Sequence, residues 1–355
     1  MATRIRYFDI AKGIAILCVI LGHSILIAQV FVDQGYLAMQ LYHVIFTFHM
    51  PLFFIISGYF MHPERPFDYT KRGRELLATY AITAGAIVVA TTALAYVLRS
   101  GTRAAFTGWF AAAFYGAGDL AANYVWPVPF RIGALWFLLG LFWAQLIVHW
   151  AAKTRFSYIW IILSFVIGYC SARVYWLPLS IQSGMCAALF VYCGHLIKKY
   201  DILPKISRNP IAWIVACAIW LICIKEFSGF SMAMNAYGEG LHFAFSVVGA
   251  FAGTYCILGV SMLIDAYVDP IAKALSICGT WSLAILCVHL FEDDVTPWAD
   301  ILPKLMVVTG GGHYMWVIVF AVRLFVDIAL TCVLYRMPRI NMLFFPYLVK
   351  RQSLS

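Results

Sequence analysis

Lys12 and His23 share one stretch of otherwise apolar residues, Ile10-Ala-Lys-Gly-Ile-Ala-Ile-Leu-Cys-Val-Ile-Leu-Gly-His-Ser-Ile-Leu-Ile-Ala, with Asp9 just ahead of it. Their separation is nearly three helical turns, so both point to one side, roughly 17 Å apart along the axis. Ionisable groups in hydrocarbon are costly and by default mark a functional path. The plain alternative is a polar pair satisfied by neighbouring helices. A neutral imidazole, with an unperturbed pKa of about 6.5, suits His23 to general-base or nucleophilic chemistry near working pH. Asp9 lies roughly 21 Å from His23 along the axis, too far to orient that ring, so its expected part is to set the charge around Lys12.

A second stripe lies in Phe48-His-Met-Pro-Leu-Phe-Phe-Ile-Ile-Ser-Gly-Tyr, where His49, Phe53 and Ser57 recur every fourth residue on one helix face. Pro51 cannot donate to the carbonyl of Thr47, which predicts a kink there. With a rise of about 1.5 Å per residue and a core of about 30 Å, His23 sits roughly 20 Å in from the inner side and His49 roughly 12 Å in from the outer side. A shared site at that level is expected, with His49 as its second polar group. Beyond the second stripe comes Tyr69-Thr-Lys-Arg-Gly-Arg-Glu. Lys71, Arg72 and Arg74 there either fix topology and touch anionic lipid, or form a phosphate-binding rim beside Lys12. Trp136, at the outer end of its span, reads as an interface anchor. His289, followed by Glu292-Asp-Asp, reads as an acidic, histidine-bearing mouth for sugar hydroxyls. Arg323 and Asp327, four residues apart in mid-span, are expected to form an intrahelical ion pair with a structural role.

The elements that must position these groups are membrane helices. Of 355 residues, 63% are hydrophobic and 12% charged, more apolar surface than a soluble domain can hide. Apolar runs near 8–31, 41–60, 76–98, 134–151, 157–172, 178–197, 210–224, 243–264, 276–291 and 314–335 predict an all-α polytopic membrane protein of about ten spans. The first run has no small-residue cleavage site after it and reads as a retained span. Lys and Arg set the orientation. Arg4, Arg6, Arg65, Lys71, Arg72, Arg74, Lys153, Arg155, Lys198, Lys199, Lys205, Arg208, Lys273, Arg336, Arg339, Lys350 and Arg351 fall on one side. Only Arg99, Arg103, Arg131, Arg173, Lys225 and Lys304 fall on the other, which places both termini in the cytoplasm. Counting 99–133 as another span would reverse the later loops, so it reads as an extracytoplasmic interfacial or re-entrant segment. Topology explains the positive charge, and nucleic acid is not an expected partner. The ten cysteines are scattered through apolar segments without metal-ligand or disulfide spacing, so neither a metal nor a structural disulfide is expected.

Four segments carry a resemblance: Tyr7-Phe-Asp-Ile-Ala-Lys-Gly-Ile-Ala-Ile-Leu-Cys-Val-Ile-Leu-Gly-His, His49-Met-Pro-Leu-Phe-Phe-Ile-Ile-Ser-Gly, Leu135-Trp-Phe-Leu and Trp281-Ser-Leu-Ala-Ile-Leu-Cys-Val-His. With these, the chain resembles the acyltransferase-3 family of integral membrane acyltransferases, most closely its fucose 4-O-acetylase-like branch. The resemblance implies one transmembrane acyltransferase domain over 1–355 in a bacterial cytoplasmic (inner) membrane. It implies transfer of acetyl from acetyl-CoA, as co-substrate, to a sugar hydroxyl of a lipid-linked or cell-surface glycan. The family's motif of a basic residue, a ten-residue gap and a histidine falls on Lys12 and His23. Its Arg-x-x-Arg motif falls on Lys71 and Arg74, where Lys keeps the charge and loses bidentate phosphate geometry. His23 and His49 are then the catalytic candidates. Lys12, Ser57, Lys71, Arg72 and Arg74 are those for the acyl-CoA. Trp136, His289 and Glu292 are those for the glycan, and membrane lipids complete the partners. Two alternatives stand beside this reading. One is a transporter or flippase for a glycan or small anion, against which stands the lack of repeated halves and paired broken helices. The other is transfer of succinyl in place of acetyl.

Overall fold

A computed structural model describes residues 5–207, 209–338 and 340–345. Arg4, Arg208, Arg339, Lys350 and Arg351 of the inner-side charge pattern lie outside the described residues. The elements in order are α1 (Arg6–Phe31), α2 (Gly35–Tyr59), α3 (Tyr69–Arg72), α4 (Thr79–Val97), α5 (Thr102–Tyr115), α6 (Trp136–Ala151), α7 (Ser157–Val174) and α8 (Ile181–Lys199). They continue with α9 (Ile202–Ser207), α10 (Pro210–Lys225), α11 (Leu241–Tyr267), α12 (Asp269–Thr280), α13 (Ser282–Val295), α14 (Trp298–Thr309), α15 (Met315–Arg336) and α16 (Asn341–Phe344). Among the described residues, seven helices are long and apolar enough to cross a membrane, or eight if the bent pair α12–α13 is one span. The protein is a polytopic membrane protein, with fewer such helices than the ten apolar runs predict. Of the remaining runs, 210–224 forms α10, whose sixteen residues rise about 24 Å against a core of about 30 Å. The other, 178–197, forms α8, which carries Gln182, Ser183 and His195 and is buried among α2, α6 and α7.

α1 is the hub. A helix apolar around its whole circumference is a buried helix, and α1 packs against α2, α11, α12, α13 and α15. Lipid tails give apolar helices no reason to associate with one another, so close backbone approach through small residues must hold them. Two crossings do this. A Cβ on Gly13 would stand 2.1 Å from the carbonyl oxygen of Leu275, and one on Gly279 would stand 1.7 Å from that of Asp9, which locks α1 to α12. A Cβ on Gly58 would stand 1.9 Å from the Val191 oxygen, and one on Gly194 would stand 2.1 Å from that of Ile55, which locks α2 to α8. Outward faces are different: Ile162 and Ile167 of α7, and Ile214 and Leu221 of α10, are exposed, as suits contact with lipid.

The run 276–291, expected as one span, is broken. α12 and α13 meet at 67°, with Trp281 at the elbow stacked on Tyr335 and set edge-on to Phe345. The break frees α12 to lie along α1 and turns α13 toward α4 and α15. α13 also continues to Val295, past the predicted end of the run, and the following connection contains α14. In 99–133 the chain makes α5, fourteen residues that rise about 21 Å, and then an irregular path to the short 3-10 turn Gly133–Leu135. That path is pinned by a bridge between Tyr124 and buried Trp176. The turn between α1 and α2 is tied to α15. Asp33 accepts from the Gly35 N–H, and Gln34 Oε1 accepts from the Trp316 N–H. The Gly35 and Gln29 donors hold the Asp33 carboxyl below its ordinary range.

Candidate active site

A cavity of about 590 Å³ opens between α1, α2, the start of α6 and two connections. His23 lines it from α1, His49 and Pro51 from α2, and Trp136 from the first turn of α6. Asp119 and Arg131 reach it from the path after α5, Gly229–Met234 from the connection between α10 and α11, and Asp293 from α13. The two histidines expected at one depth therefore share one chamber.

His49 is buried. Its Nδ1 lies 2.8 Å from the carbonyl oxygen of Ile45, and its ring sits edge-on to Phe46. A carbonyl only accepts, so Nδ1 carries the proton and Nε2 keeps its lone pair. His23 is held from behind. Its Nδ1 lies 3.0 Å from Nε2 of His289, whose Nδ1 lies 2.8 Å from Oδ2 of Asp327. α13 supplies His289 and α15 supplies Asp327, so three helices meet in one chain of hydrogen bonds. Beside it, Arg323 donates through Nε to Glu292 at 2.9 Å and through Nη2 to Asp293, while Arg131 stands 3.8 Å from the other oxygen of Asp293.

Several expectations are corrected by this arrangement. His289 does not close a solvent-facing mouth; it is fully buried behind His23, because α13 runs on past it. Glu292 is likewise buried and is a partner of Arg323. Neither lines the cavity, so neither is placed to bind an acceptor there. Arg323 and Asp327 do not use the intrahelical spacing: Arg323 pairs across to α13 and Asp327 bonds His289. Four residues apart on one face, each finds a better partner on α13. Arg131 and Asp293 were not picked out from the sequence. Asp293 belongs to the acidic triplet that reads as a mouth for sugar hydroxyls, and Arg131 has no signal in the sequence beyond its charge.

Other candidates stand apart from the chamber. Lys12 pairs with Asp9 at 2.8 Å one turn into α1, and Asp9 is buried. Lys71 and Arg74 are exposed, and Arg72 pairs with Glu75 at 3.4 Å, on α3 and the π-helical turn that leads into α4. No described hydrogen bond or ion pair joins Lys12 to that basic group. Ser57 accepts from Gln145 of α6 at 2.7 Å and does not line the cavity. Trp136 does line it.

His289, Glu292 and Asp327 offer ligand atoms within 4.8 Å of one another, a spacing compatible with a metal ion. Their chemistry points elsewhere. The guanidinium of Arg323 already holds Glu292 Oε2, and a cation there would face that fixed positive charge at short range. The His289–Asp327 hydrogen bond likewise uses the remaining pair. What the arrangement supplies is an oriented imidazole at the wall of a chamber, backed by a second imidazole and a carboxylate. That is the equipment of general-base catalysis.

Neither curated proteins nor solved structures gave a match to this chain. The acyltransferase-3 family model, described as an acyltransferase domain, matches residues 5–336 and so takes in α1, α2, α13 and α15, the helices that build the site. The chain belongs to the acyltransferase-3 family, and the chamber around His23 is the candidate active site of an acyltransferase.

Proposed function

We propose that the protein is a membrane-bound O-acetyltransferase of the fucose 4-O-acetylase-like branch. It moves acetyl from cytosolic acetyl-CoA to a sugar hydroxyl of a lipid-linked or cell-surface glycan, in a bacterial cytoplasmic membrane with both termini inside. The observation that carries this reading is the placement of His23 on the wall of the chamber while Lys12, on the same helix, sits near its other end. That separation matches a donor anchored by its phosphates near Lys12, Lys71, Arg72 and Arg74 with its acyl end at His23. The chamber walls at 118–120 and 229–234 belong to connections that the Lys and Arg pattern puts outside, which suits an acceptor entering from that side.

In the reaction, Nε2 of His23 takes the proton of the acceptor hydroxyl as its oxygen bonds to the acyl carbon. The C–S bond then breaks, and the thiolate leaves with the proton that His23 returns. His49, with its lone pair on Nε2, is placed to accept a hydrogen bond from the acceptor and hold a second hydroxyl. Its lone pair cannot stabilise the developing oxyanion, which needs donors; Arg131 is the cationic donor on the chamber wall. The test is His23→Ala in purified protein that retains wild-type thermal stability and coenzyme A binding. Transfer should fall about 100-fold or more; an unchanged rate overturns the assignment. Mass spectrometry of surface glycans from cells with and without the protein identifies the group added and the sugar that receives it.

A further inference from the structure

The proton on an imidazole sits on one nitrogen or the other, and the partner of the first nitrogen decides which face of the ring is a base. His23 bonds His289, and His289 bonds Asp327, so the choice at His23 is made two residues away. An ionised Asp327 carboxylate only accepts, so Nδ1 of His289 donates to it. Nε2 of His289 is then left with a lone pair and accepts from Nδ1 of His23. The proton of His23 is committed to that bond, and its Nε2 carries the lone pair. The ring planes are 32° apart with centroids at 5.1 Å, a tilt that lets the bond run from ring edge to ring edge.

We propose that Asp327 and His289 are positioning residues that set the tautomer of His23 and hold its Nε2 as the base. This rests on His23 as the general base of the proposed transfer. The charged and titratable groups around the chain include Glu292, Asp293 and Asp294 on α13, Arg323 on α15 and Arg131 from the path after α5. Arg323 is occupied by Glu292 and Asp293, which leaves Asp327 as the carboxylate hydrogen-bonded to His289. When His23 takes the acceptor proton at Nε2, its Nδ1 proton stays in the bond to His289, and the new positive charge is balanced by Asp327 through that ring. No net proton leaves the chain; the thiolate receives the one His23 took.

Asp327→Asn is the direct test, since it keeps the volume while removing the charge and replacing one acceptor oxygen by a donor. A donating amide facing His289 reverses both tautomers and puts a proton on the catalytic nitrogen. The expected result is a fall in kcat of about 100-fold or more with KM for acetyl-CoA and for acceptor within about twofold of wild type. His289→Leu, which can neither accept from His23 nor donate to Asp327, should show the same split. A kcat within threefold of wild type in either stable variant, or a loss confined to KM, overturns the proposal. If neither variant folds, solid-state nitrogen NMR of histidine-labelled wild-type protein decides, with the two rings identified by their mutual contact. Both must carry their proton on Nδ1; a proton on Nε2 of His23 refutes it. The parallel His23→Ala measurement separates the two claims. Loss there with normal Asp327→Asn turnover defeats the positioning role alone, whereas full activity there defeats the base assignment itself.

Discussion

Gly279→Ala tests the link between helix packing and chemistry most directly. The new methyl carbon would lie 1.7 Å from the carbonyl oxygen of Asp9 and 2.8 Å from the backbone nitrogen of Gly13. Ordinary contact begins near 3.4 Å, so α1 and α12 must part by about 1.7 Å at the crossing, or by the equivalent in tilt. Both obstacles are backbone atoms, and no rotamer change relieves them. Overpacking of this kind costs about 1–3 kcal/mol. The chemical cost is larger in proportion. α1 carries His23 and α12 leads through the Trp281 elbow into α13, which carries His289, so parting the helices strains the 3.0 Å bond between the two rings. A misplacement of about 1 Å at a reacting group costs about 100-fold in rate.

The assay is thermal unfolding in detergent together with acetyl transfer turnover on the same preparation. Gly279→Ala should lower the midpoint and reduce turnover about 100-fold. Gly85→Ala is the control: it lies in α4 with no atom within 4 Å of the added carbon, and should match wild type on both measures. If Gly279→Ala also matches wild type, α1 and α12 are not locked backbone to backbone and the packing argument fails.

Two further predictions address the charges. Arg323→Met leaves Glu292 and Asp293 buried without their partner and should cost about 3–5 kcal/mol, read by denaturant unfolding in micelles; adding Glu292→Gln and Asp293→Asn should restore most of it. A single variant as stable as wild type would mean the carboxylates are not held by Arg323. Lys12→Met should raise KM for acetyl-CoA about tenfold or more with kcat little changed, the loss of one charge-assisted bond to phosphate. An unchanged KM removes Lys12 from the donor site.

What could be read in the sequence follows the physics of single helices. The spacing of Lys12 and His23 fixes their common face because the helical repeat is local, and depth along two antiparallel helices places His49 at the same level without reference to packing. The elbow at Trp281 was not readable, because residues 276–291 are apolar on both sides of it. The elbow packs against Tyr335 and Phe345, which lie more than fifty residues away. That one missed bend misplaced His289. In an unbroken span ending at 291 it sits at a membrane surface; in α13 it sits behind His23. The pairing of Arg323 failed for a related reason: intrahelical spacing offers Asp327, but the competing carboxylates of Glu292 and Asp293 arrive on another helix. The orientation and the basic rim are legible as charge asymmetry. Which of those residues come together is not, since Lys12 and Arg72 each settle with a carboxylate within one turn.

The cluster of Glu292, Asp293, Arg323 and Asp327 is hard to explain as a device for stability. Apolar side chains of equal volume would hold α13 against α15 as well as buried ion pairs do, without the cost of stripping water from charged groups. What apolar residues cannot do is fix a direction in space for a proton. Arg323 holds Glu292 and Asp293 on α13, one turn from His289, and so fixes that turn of helix relative to α15. Asp327, on the same face of α15 as Arg323, then meets His289 at hydrogen-bonding distance. The ion pairs thus set the helix register, the register sets the His289–Asp327 bond, and that bond decides which nitrogen of His23 carries the lone pair. Charge buried at a cost to folding is spent on orienting one lone pair.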